Sequence, residues 1–153
     1  MNTSTYDAAL KLLGFRARSE AELQRKLLQK GEPAPEVDEV ITRLREQKLL
    51  DDADFARQFA RAKLLGSGSS RVRIKQELWR KGVARDVADR ALVELRDDEG
   101  IDPAAAIQRV AEKKWKTLAK LDRITRGRRL YAFLARRGFN PDEIRNAMSA
   151  LED

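Results

Sequence analysis

The sequence contains no cysteine and no histidine among its 153 residues. Without cysteine it can form neither a disulfide framework nor a thiol nucleophile. Without either residue it has no Cys/His zinc site, and without histidine it has no imidazole for acid–base catalysis. Most familiar enzyme chemistries therefore lack a required group, and we expect a protein that is not an enzyme and needs no cofactor.

Long apolar segments are also missing. The longest unbroken apolar run is six residues, Leu130 to Ala135, whereas a transmembrane helix needs about 20. The first residues, Met1 to Ser4, do not resemble the start of a signal peptide. We therefore expect a monomeric protein of the cytoplasm that makes no membrane contact.

The sequence does have an excess of positive charge, which is unevenly distributed. It holds 32 Lys and Arg residues against 25 Asp and Glu residues, a net charge of +7. Residues 101–153 carry 12 basic and 7 acidic residues, a net charge of +5. Residues 1–50 and residues 51–100 each have a net charge of only +1. Such a balance favours a polyanionic partner but does not say whether that partner is nucleic acid or protein.

Apolar residues recur at helical spacing along most of the chain, and the alternating pattern of strands is absent, so we predict an all-α protein. Helix starts are marked by residues that accept hydrogen bonds from the first free N–H groups. Ser19 with Glu22 has the spacing of a capping box. Asp102-Pro103 and Asn140-Pro141 each place an N-cap residue before a proline at the first helical position.

Three glycines, Gly31, Gly82 and Gly138, each follow a basic residue that closes an apolar helical run, as left-handed helix ends do. They also align an internal repeat. Four residues before each glycine stands a leucine, and thirteen residues after it stands another. We predict three units of three helices, at residues 1–50, 51–100 and 101–153, stacked in an elongated, curved, solenoid-like array.

Two segments join these units. Residues 48–51 connect the first and second units, and residues 96–100, an acidic segment that reads Arg-Asp-Asp-Glu-Gly, connect the second and third. The acidic segment is the better candidate for a flexible hinge. Residues 66–70, Gly-Ser-Gly-Ser-Ser, predict a mobile turn inside the second unit; they lack the Gly-Lys-Ser/Thr end of a phosphate-binding loop.

The repeat shows where the units differ in charge. Nine and two residues before the glycine stand Arg73 and Arg80 in unit two and Arg129 and Arg136 in unit three, while unit one has Glu22 and Gln29 there. Each pair lies on one helix face, opposite the apolar stripe. An ordinary solvated surface is the alternative interpretation. The candidate binding residues are these four and their basic neighbours: Arg71, Arg73, Lys75, Arg80, Lys81, Arg126, Arg128, Arg129, Arg136 and Arg137.

Other residues have a structural interpretation that we prefer to a functional one. Asp51, Asp52 and Asp54 could hold a hard metal ion, but helix starts also favour acidic residues, and the same holds for residues 97–99. Trp79 and Trp115 could stack on bases, yet such residues more often pack between helices. We therefore expect no metal site and two packed tryptophans.

Two motifs in the second unit resemble a known family. Leu50-Asp51-Asp52 is followed by Phe55, and a second motif reads Ile-Lys-Gln-Glu-Leu-Trp-Arg-Lys-Gly-Val over residues 74–83. Together with the glycine loop between them, they resemble the RecX regulatory proteins of bacteria. The resemblance spans nearly the whole chain and implies the same architecture of three three-helix repeats.

The resemblance implies a non-enzymatic modulator of the RecA recombinase. Such a protein binds the RecA filament on single-stranded DNA and either limits its extension or promotes its disassembly. The ATPase, strand-exchange and co-protease activities of RecA then fall indirectly, in DNA repair, recombination and the SOS response.

Two other classes of function stay open. The segment from the helix ending near Leu65 to the helix of residues 71–81 has the outline of a helix-turn-helix, which would bind duplex DNA directly. Its turn is long, and the apolar pattern recurs in units that lack it. A nuclease built on a carboxylate-bound metal is the other alternative.

Overall fold

The computed structural model describes residues 3–66 and 68–152; of the predicted turn, Ser67 lies outside the described residues. All regular structure in these ranges is helical, which confirms the predicted class. The helices are α1 (Thr3–Phe15), α2 (Glu20–Gln29), α3 (Ala34–Glu46), α4 (Asp52–Leu65), α5 (Arg71–Arg80), α6 (Arg85–Glu99), α7 (Pro103–Thr117), α8 (Arg123–Arg136) and α9 (Pro141–Glu152). Within the described part of the chain, no helix has both the length and the apolar character needed to span a membrane.

The helices begin where the capping residues predict. The Ser19 side chain accepts the Glu22 N–H, and the Glu22 carboxylate accepts the Ser19 N–H at 3.2 Å, which completes the capping box. Asp102 caps α7 ahead of Pro103. Asn140 and Glu143 form the same reciprocal pair as Ser19 and Glu22, at 2.8 and 3.2 Å. Local sequence is therefore sufficient to place these starts.

The three repeat glycines lie just after α2, α5 and α8 in left-handed conformations. Their φ angles are +89° at Gly31, +84° at Gly82 and +95° at Gly138. A side chain is strained at such angles, so glycine closes each second helix and turns the chain toward the third helix of its unit.

Each three-helix group encloses its own apolar core. The leucine and isoleucine stripes of the second helices are fully buried, as their register predicts. Burial of one such side chain contributes about 1.5–3 kcal/mol to stability. Ala106 of α7 joins the core of the second group, so adjacent groups also share apolar surface. The buried stripe residues are Leu23, Leu27, Ile74, Leu78, Leu130 and Leu134.

The molecule is elongated. Its accessible surface is 9399 Å², whereas a compact monomer of 17.4 kDa exposes about 7,900 Å². The excess arises because the three cores are separate and are joined through limited contacts between successive groups.

The first of these contacts joins the start of α2 to the end of α5. The Ser19 hydroxyl donates to the carbonyl oxygen of Lys81, and the Lys81 ammonium lies 3.5 Å from the Glu22 carboxylate. A Cβ built at Gly82 would overlap the Ala21 side chain. Gly82 is thus required by close packing as well as by its backbone angle.

The second contact repeats the first, one unit further on. The Ser70 N–H at the start of α5 donates to the carbonyl oxygen of Arg137 at 3.1 Å. Arg73 donates to the carbonyl oxygen of Arg136, and a Cβ built at Gly138 would overlap Ser70. The start of each second helix therefore meets the end of the next one, where unlike ends of the two helix dipoles face each other.

Three expectations about flexibility and exposure were wrong. Residues 96–99 of the acidic segment form the last turn of α6 and not a hinge. Arg61 of α4 holds this turn by donating two hydrogen bonds, of 2.6 and 2.9 Å, to the Glu99 carboxylate. Ser69 and Ser70 are buried at the contact with α8, so the described part of the predicted mobile turn is packed. Trp79 does not pack between helices, since 57 % of its surface is exposed.

Candidate partner-binding surface

The two predicted arginine pairs lie on exposed surface. Arg73 and Arg80 project from α5, and Arg129 and Arg136 project from α8. Residues seven apart are two helical turns apart, about 10.5 Å along the axis. Each pair therefore forms a short basic row, opposite the buried stripe of its helix.

The joint between α8 and α5 brings three of these four arginines together. Arg73, Arg80 and Arg136 line one groove with Gly138 at the contact between the helices. Arg73 is tied to both sides of the joint, because it donates to Glu77 at 3.2 Å and to the carbonyl oxygen of Arg136. We call the exposed surface of Arg73, Arg80, Arg129 and Arg136 the arginine ridge.

Unit one has no equivalent of this ridge. Its residue in the Arg73 position is Glu22, which lies in the contact with α5 and bonds to Lys81 at 3.5 Å and to Arg16 at 3.4 Å. Burial alone raises the pKa of Glu22, but the Ser19 N–H and the two nearby cations outweigh it, so the pKa is lowered overall. Glu22 therefore remains ionised and structural, not partner-facing.

Four of the other predicted basic residues are held by contacts within the protein. Lys75 bonds to Asp89 at 2.9 Å, and the Lys81 ammonium faces Glu22 of unit one. Arg137 lies over the Phe133 ring at 4.5 Å. Arg126 donates from Nε and Nη2 to the carbonyl oxygen of Trp115, at 3.1 and 2.7 Å. Their first role is to position helices.

The last two predicted residues lie at the edges of the ridge. Arg71 lines a crevice between the second and third units together with acidic residues, among them Asp102 and Glu143. Arg128 is exposed on α8. Hydrogen bonds from Thr125 lower the pKa of Asp122, and the charge of Arg128 lowers it further. Neither arginine joins the groove formed by the two helix ends.

Sequence reasoning missed an apolar component beside the ridge. Val72 and Trp79 are 55 % and 57 % exposed, and the Arg85 guanidinium lies 5.1 Å from the centre of the Trp79 ring. Their spacing of seven residues places both on one face of α5, a signal that could have been used. Trp115 packs against the core of the third unit as predicted, beneath Arg126 at 3.7 Å.

The clustered carboxylates have structural partners. Asp51 accepts the Asp54 N–H at 3.2 Å, and Asp52 accepts the Glu20 N–H at 2.9 Å. Asp97 pairs with Arg96 at 3.1 Å. No cluster of three or more potential metal ligands occurs among residues 3–66 and 68–152. Asp51 caps the start of α4, as the preferred interpretation predicted, whereas residues 97–99 lie in the last turn of α6, so their interpretation as a helix start was wrong.

Comparison with known proteins places this architecture in a family. Three family models match in chain order: the first RecX three-helix domain at residues 6–44, the second at 51–92 and the third at 101–148. The chain belongs to the RecX family.

Curated RecX relatives match over most of their length. The regulatory protein RecX of Pelodictyon phaeoclathratiforme is 39 % identical over 143 residues, which is 94 % of this chain and 86 % of that protein. The regulatory protein RecX of Halorhodospira halophila is 37 % identical and covers 96 % and 88 %. These matches place the chain among regulators, in keeping with the resemblance seen in the sequence.

Solved RecX structures share the fold. The crystal structure of RecX from Lactobacillus salivarius superposes with a TM-score of 0.79, covering 98 % of this chain and 96 % of that one at 24 % identity. A second crystal structure of a regulatory protein RecX gives a TM-score of 0.75, with 96 % of this chain and 71 % of that one covered. Helical packing is thus retained where most side chains differ.

Proposed function

We propose that this protein binds the RecA filament on single-stranded DNA and limits its extension or promotes its disassembly. The ATPase, strand-exchange and co-protease activities of RecA then fall because less filament is present. The protein acts as a cytoplasmic monomer and catalyses no reaction of its own.

The arginine ridge is the observation that carries this proposal. It lies on two helices of an elongated array, at a joint that fixes their relative position by hydrogen bonds and close packing. A rigid basic row that extends over two units can follow a repeating polyanionic surface, either acidic protein or phosphate. The single-stranded DNA of the proposed partner supplies such phosphates.

The duplex DNA alternative is less well supported by the geometry. A helix-turn-helix protein places the N-terminal residues of its recognition helix on base edges in the major groove. Here the N-cap Ser70 of α5 is only 2 % exposed and lies against Gly138 of the third unit, although Arg71, Val72 and Arg73 in the first turn are exposed. Because the end of α8 packs on this helix start and Arg73 donates to the carbonyl oxygen of Arg136, access of a DNA groove to it is restricted, and we rank direct recognition of duplex DNA below filament binding.

The test measures the ATPase activity of RecA on single-stranded DNA while this protein is added well below the RecA concentration. Binding to naked single-stranded DNA is followed in parallel over a salt series. We expect inhibition that persists at salt concentrations that abolish binding to naked DNA, since nonspecific phosphate binding falls steeply with salt. Inhibition that disappears together with DNA binding would contradict the proposal.

Two matched charge-reversal variants locate the surface. The ridge variant carries Arg80→Glu, Arg129→Glu and Arg136→Glu; Arg73 is left intact because it holds the joint. The control carries Arg25→Glu and Lys26→Glu on α2 and Lys30→Glu at its C-cap, all at exposed positions. Each set of three reversals replaces three positive charges by three negative ones, which lowers the net charge from +7 to +1.

Only the ridge variant should lose inhibition, by at least about 10-fold in the concentration required. Circular dichroism melting of both variants shows whether the fold is kept. Equal losses of inhibition in the two variants would mean that the net charge of the protein, and not the arginine ridge, is responsible.

The nuclease alternative has a test of its own. Cleavage of labelled DNA by the protein in the presence of magnesium or manganese would support that alternative.

A further inference from the structure

A second surface on α5 differs in character from the arginine ridge. Val72, Trp79 and the buried Ala88 of α6 form the apolar lining of a groove with a volume of about 520 Å³. Lys75, Arg80 and Arg85 line the same groove, together with one acidic residue, Asp89. We call this surface the α5 groove.

Apolar exposure in this groove is concentrated, not scattered. More than half of the surface of both Val72 and Trp79 is exposed, and the two lie two turns apart on one helix. Single exposed apolar residues are normal on a protein surface, but a tryptophan beside arginines is the composition of a protein-binding hot spot. The Arg85 guanidinium lies 5.1 Å from the centre of the indole ring, and 57 % of the surface of Trp79 remains exposed.

The internal repeat provides a control for this composition. At the position of Trp79, unit one has Leu28 and unit three has Ala135; at the position of Arg85 they have Ala34 and Pro141. Leu28 is 43 % exposed, but unit one has Gln24, Gln29 and Ala34 at the positions of the groove cations Lys75, Arg80 and Arg85. At this position of the repeat, the combination of an exposed aromatic residue with adjacent positive charge is therefore particular to the second unit.

We propose that the α5 groove binds an acidic protein segment that inserts an apolar side chain against Trp79 and Val72. The inference deepens the function proposed above and rests on it for the identity of the partner. Arg80 belongs to both surfaces, so a partner that reaches the groove also contacts the arginine ridge.

Charge favours an acidic segment. Three basic side chains and one carboxylate line the groove, which gives a local charge of +2. Lys75 already bonds to Asp89 at 2.9 Å, so Arg80 and Arg85 remain to meet the carboxylates of a partner. Charge complementarity of this kind steers association and fixes orientation, while the apolar anchor supplies the affinity.

The same features disfavour single-stranded nucleic acid as the occupant. Proteins that bind single strands stack successive bases on several aromatic rings along a basic channel. Trp79 is the one aromatic residue that lines this groove among the described residues, and Asp89 places a carboxylate where phosphates would pass. Tighter binding of a single-stranded oligonucleotide than of an acidic peptide would therefore contradict this assignment.

The test uses the two tryptophans of the chain as reporters, because their indole N–H groups give two signals in a ¹H–¹⁵N spectrum. The probe is an acetylated, amidated peptide, Glu-Asp-Glu-Leu-Phe-Glu-Asp. A second peptide has Ser in place of Leu and Phe, and the third probe is an eight-nucleotide oligothymidylate. We expect the first peptide to shift the Trp79 signal and not that of Trp115, with at least 5-fold higher affinity than the Ser peptide.

A matched pair of variants separates anchoring from general charge. Val72→Ser should weaken the first peptide at least 5-fold, while Leu28→Ser, at an exposed apolar position of unit one, should change its affinity less than 2-fold. Both positions are exposed, so both variants should fold. Equal affinities for the two peptides, an unchanged affinity in Val72→Ser, or tighter binding of the oligothymidylate would each overturn the proposal.

Failure of this inference is distinguishable from failure of the proposed function. Trp79→Ala should raise the concentration needed to inhibit the RecA ATPase at least 10-fold, with Phe15→Ala, an exposed aromatic of α1, as the control. If the peptide binds at Trp79 but the unaltered protein does not inhibit RecA, the proposed function fails and the groove stands. If the protein inhibits RecA while the peptide leaves the Trp79 signal unchanged, the groove is overturned.

Discussion

Ser70, the N-cap residue of α5, lies directly against Gly138, the glycine that follows the end of α8. The same relationship joins Ser19 of α2 to the Lys81–Gly82 end of α5 through a hydrogen bond from the serine hydroxyl. Each serine thus caps its own helix and contacts the end of the next second helix. One local motif, used twice, sets the spacing of the three units and aligns the arginine ridge across a joint.

Replacing Gly82 should destabilise the protein more than replacing Gly31. Both residues have left-handed angles, so alanine strains either backbone by about 1 kcal/mol. Only Gly82 also faces another unit, where a Cβ would overlap Ala21. We expect Gly31→Ala to cost about 1 kcal/mol and Gly82→Ala about 2–4 kcal/mol in the free energy of unfolding.

Urea unfolding followed by circular dichroism measures both differences. Equal losses would show that the contact with Ala21 yields without cost. Gly82→Val should be worse than Gly82→Ala, because a β-branched side chain tolerates the left-handed conformation poorly.

Replacing Lys48 by glycine should stabilise the protein. Lys48 follows α3 with a φ of +60°, and Leu49 then donates to the carbonyl oxygen of Leu44. A non-glycine residue is strained in this conformation, whereas glycine adopts it readily. We expect Lys48→Gly to raise the free energy of unfolding by about 0.5–1 kcal/mol.

Lys48→Ala is the matched control, since it removes the charge and the long side chain but keeps the backbone strain. Its free energy of unfolding should stay within about 0.5 kcal/mol of the unaltered protein. A gain in both variants would assign the effect to the lysine side chain.

Replacing Glu22 by glutamine should destabilise the protein at neutral pH and not at low pH. The capping N–H and the cations Arg16 and Lys81 lower the pKa of Glu22 in the folded state, despite its burial. Its charge therefore stabilises the fold above the pKa it has when unfolded, and that contribution is lost as pH falls through the lower folded value. Glutamine keeps the capping geometry but loses the charge.

We expect Glu22→Gln to cost about 1 kcal/mol at pH 7. The cost should shrink toward zero as pH falls below the unfolded pKa and through the folded one. Urea unfolding at several pH values tests this. A cost that does not change with pH would contradict the ion-pair explanation.

Replacing Asp52 by asparagine should have the opposite pH dependence. Burial and the nearby charges of Glu20 and Asp51 raise the pKa of Asp52 in the folded state, although the Glu20 N–H partly offsets them. Its contribution to stability is fully present below the unfolded pKa and is lost as pH rises through the folded one. The asparagine side chain is uncharged but retains an oxygen that can accept the hydrogen bond from the Glu20 N–H.

We therefore expect the stability of Asp52→Asn, relative to the unaltered protein, to rise between the unfolded and folded pKa values and then to level off. The gain at pH 7 should be below about 1 kcal/mol. A relative stability that falls over this range would show that the carboxylate is favoured in the fold.

Much of the fold could be predicted because it depends on local chemistry. The capping box of Ser19 with Glu22 and the N-cap residue Asn140 were predicted from the sequence alone, and the structure confirms both. Periodicity also identified the buried stripe that includes Leu78. These features depend on residues within one helix, so no knowledge of neighbouring helices is needed.

The candidate surface was only partly predictable. Spacing placed Arg73 and Arg80 on one exposed face, but it could not show that Arg126 would be bound to the Trp115 carbonyl oxygen on another helix. It also could not show that Trp79 would stay exposed while Trp115 packed. Such outcomes depend on which helices lie opposite, and a side chain's own segment does not contain that information.

The sequence by itself determined the nine helices found among residues 3–66 and 68–152, the capping residues named above and the repeat, because hydrogen bonding and apolar periodicity act over a few residues. Tertiary structure alone decided what the ends of those helices meet. It placed Ser70 against Gly138. It brought Arg61 to Glu99, so that the acidic end of α6 stays helical, and it left Val72 and Trp79 exposed. These results required packing between helices, within a unit or between units, since they arise from contacts between residues distant in the chain.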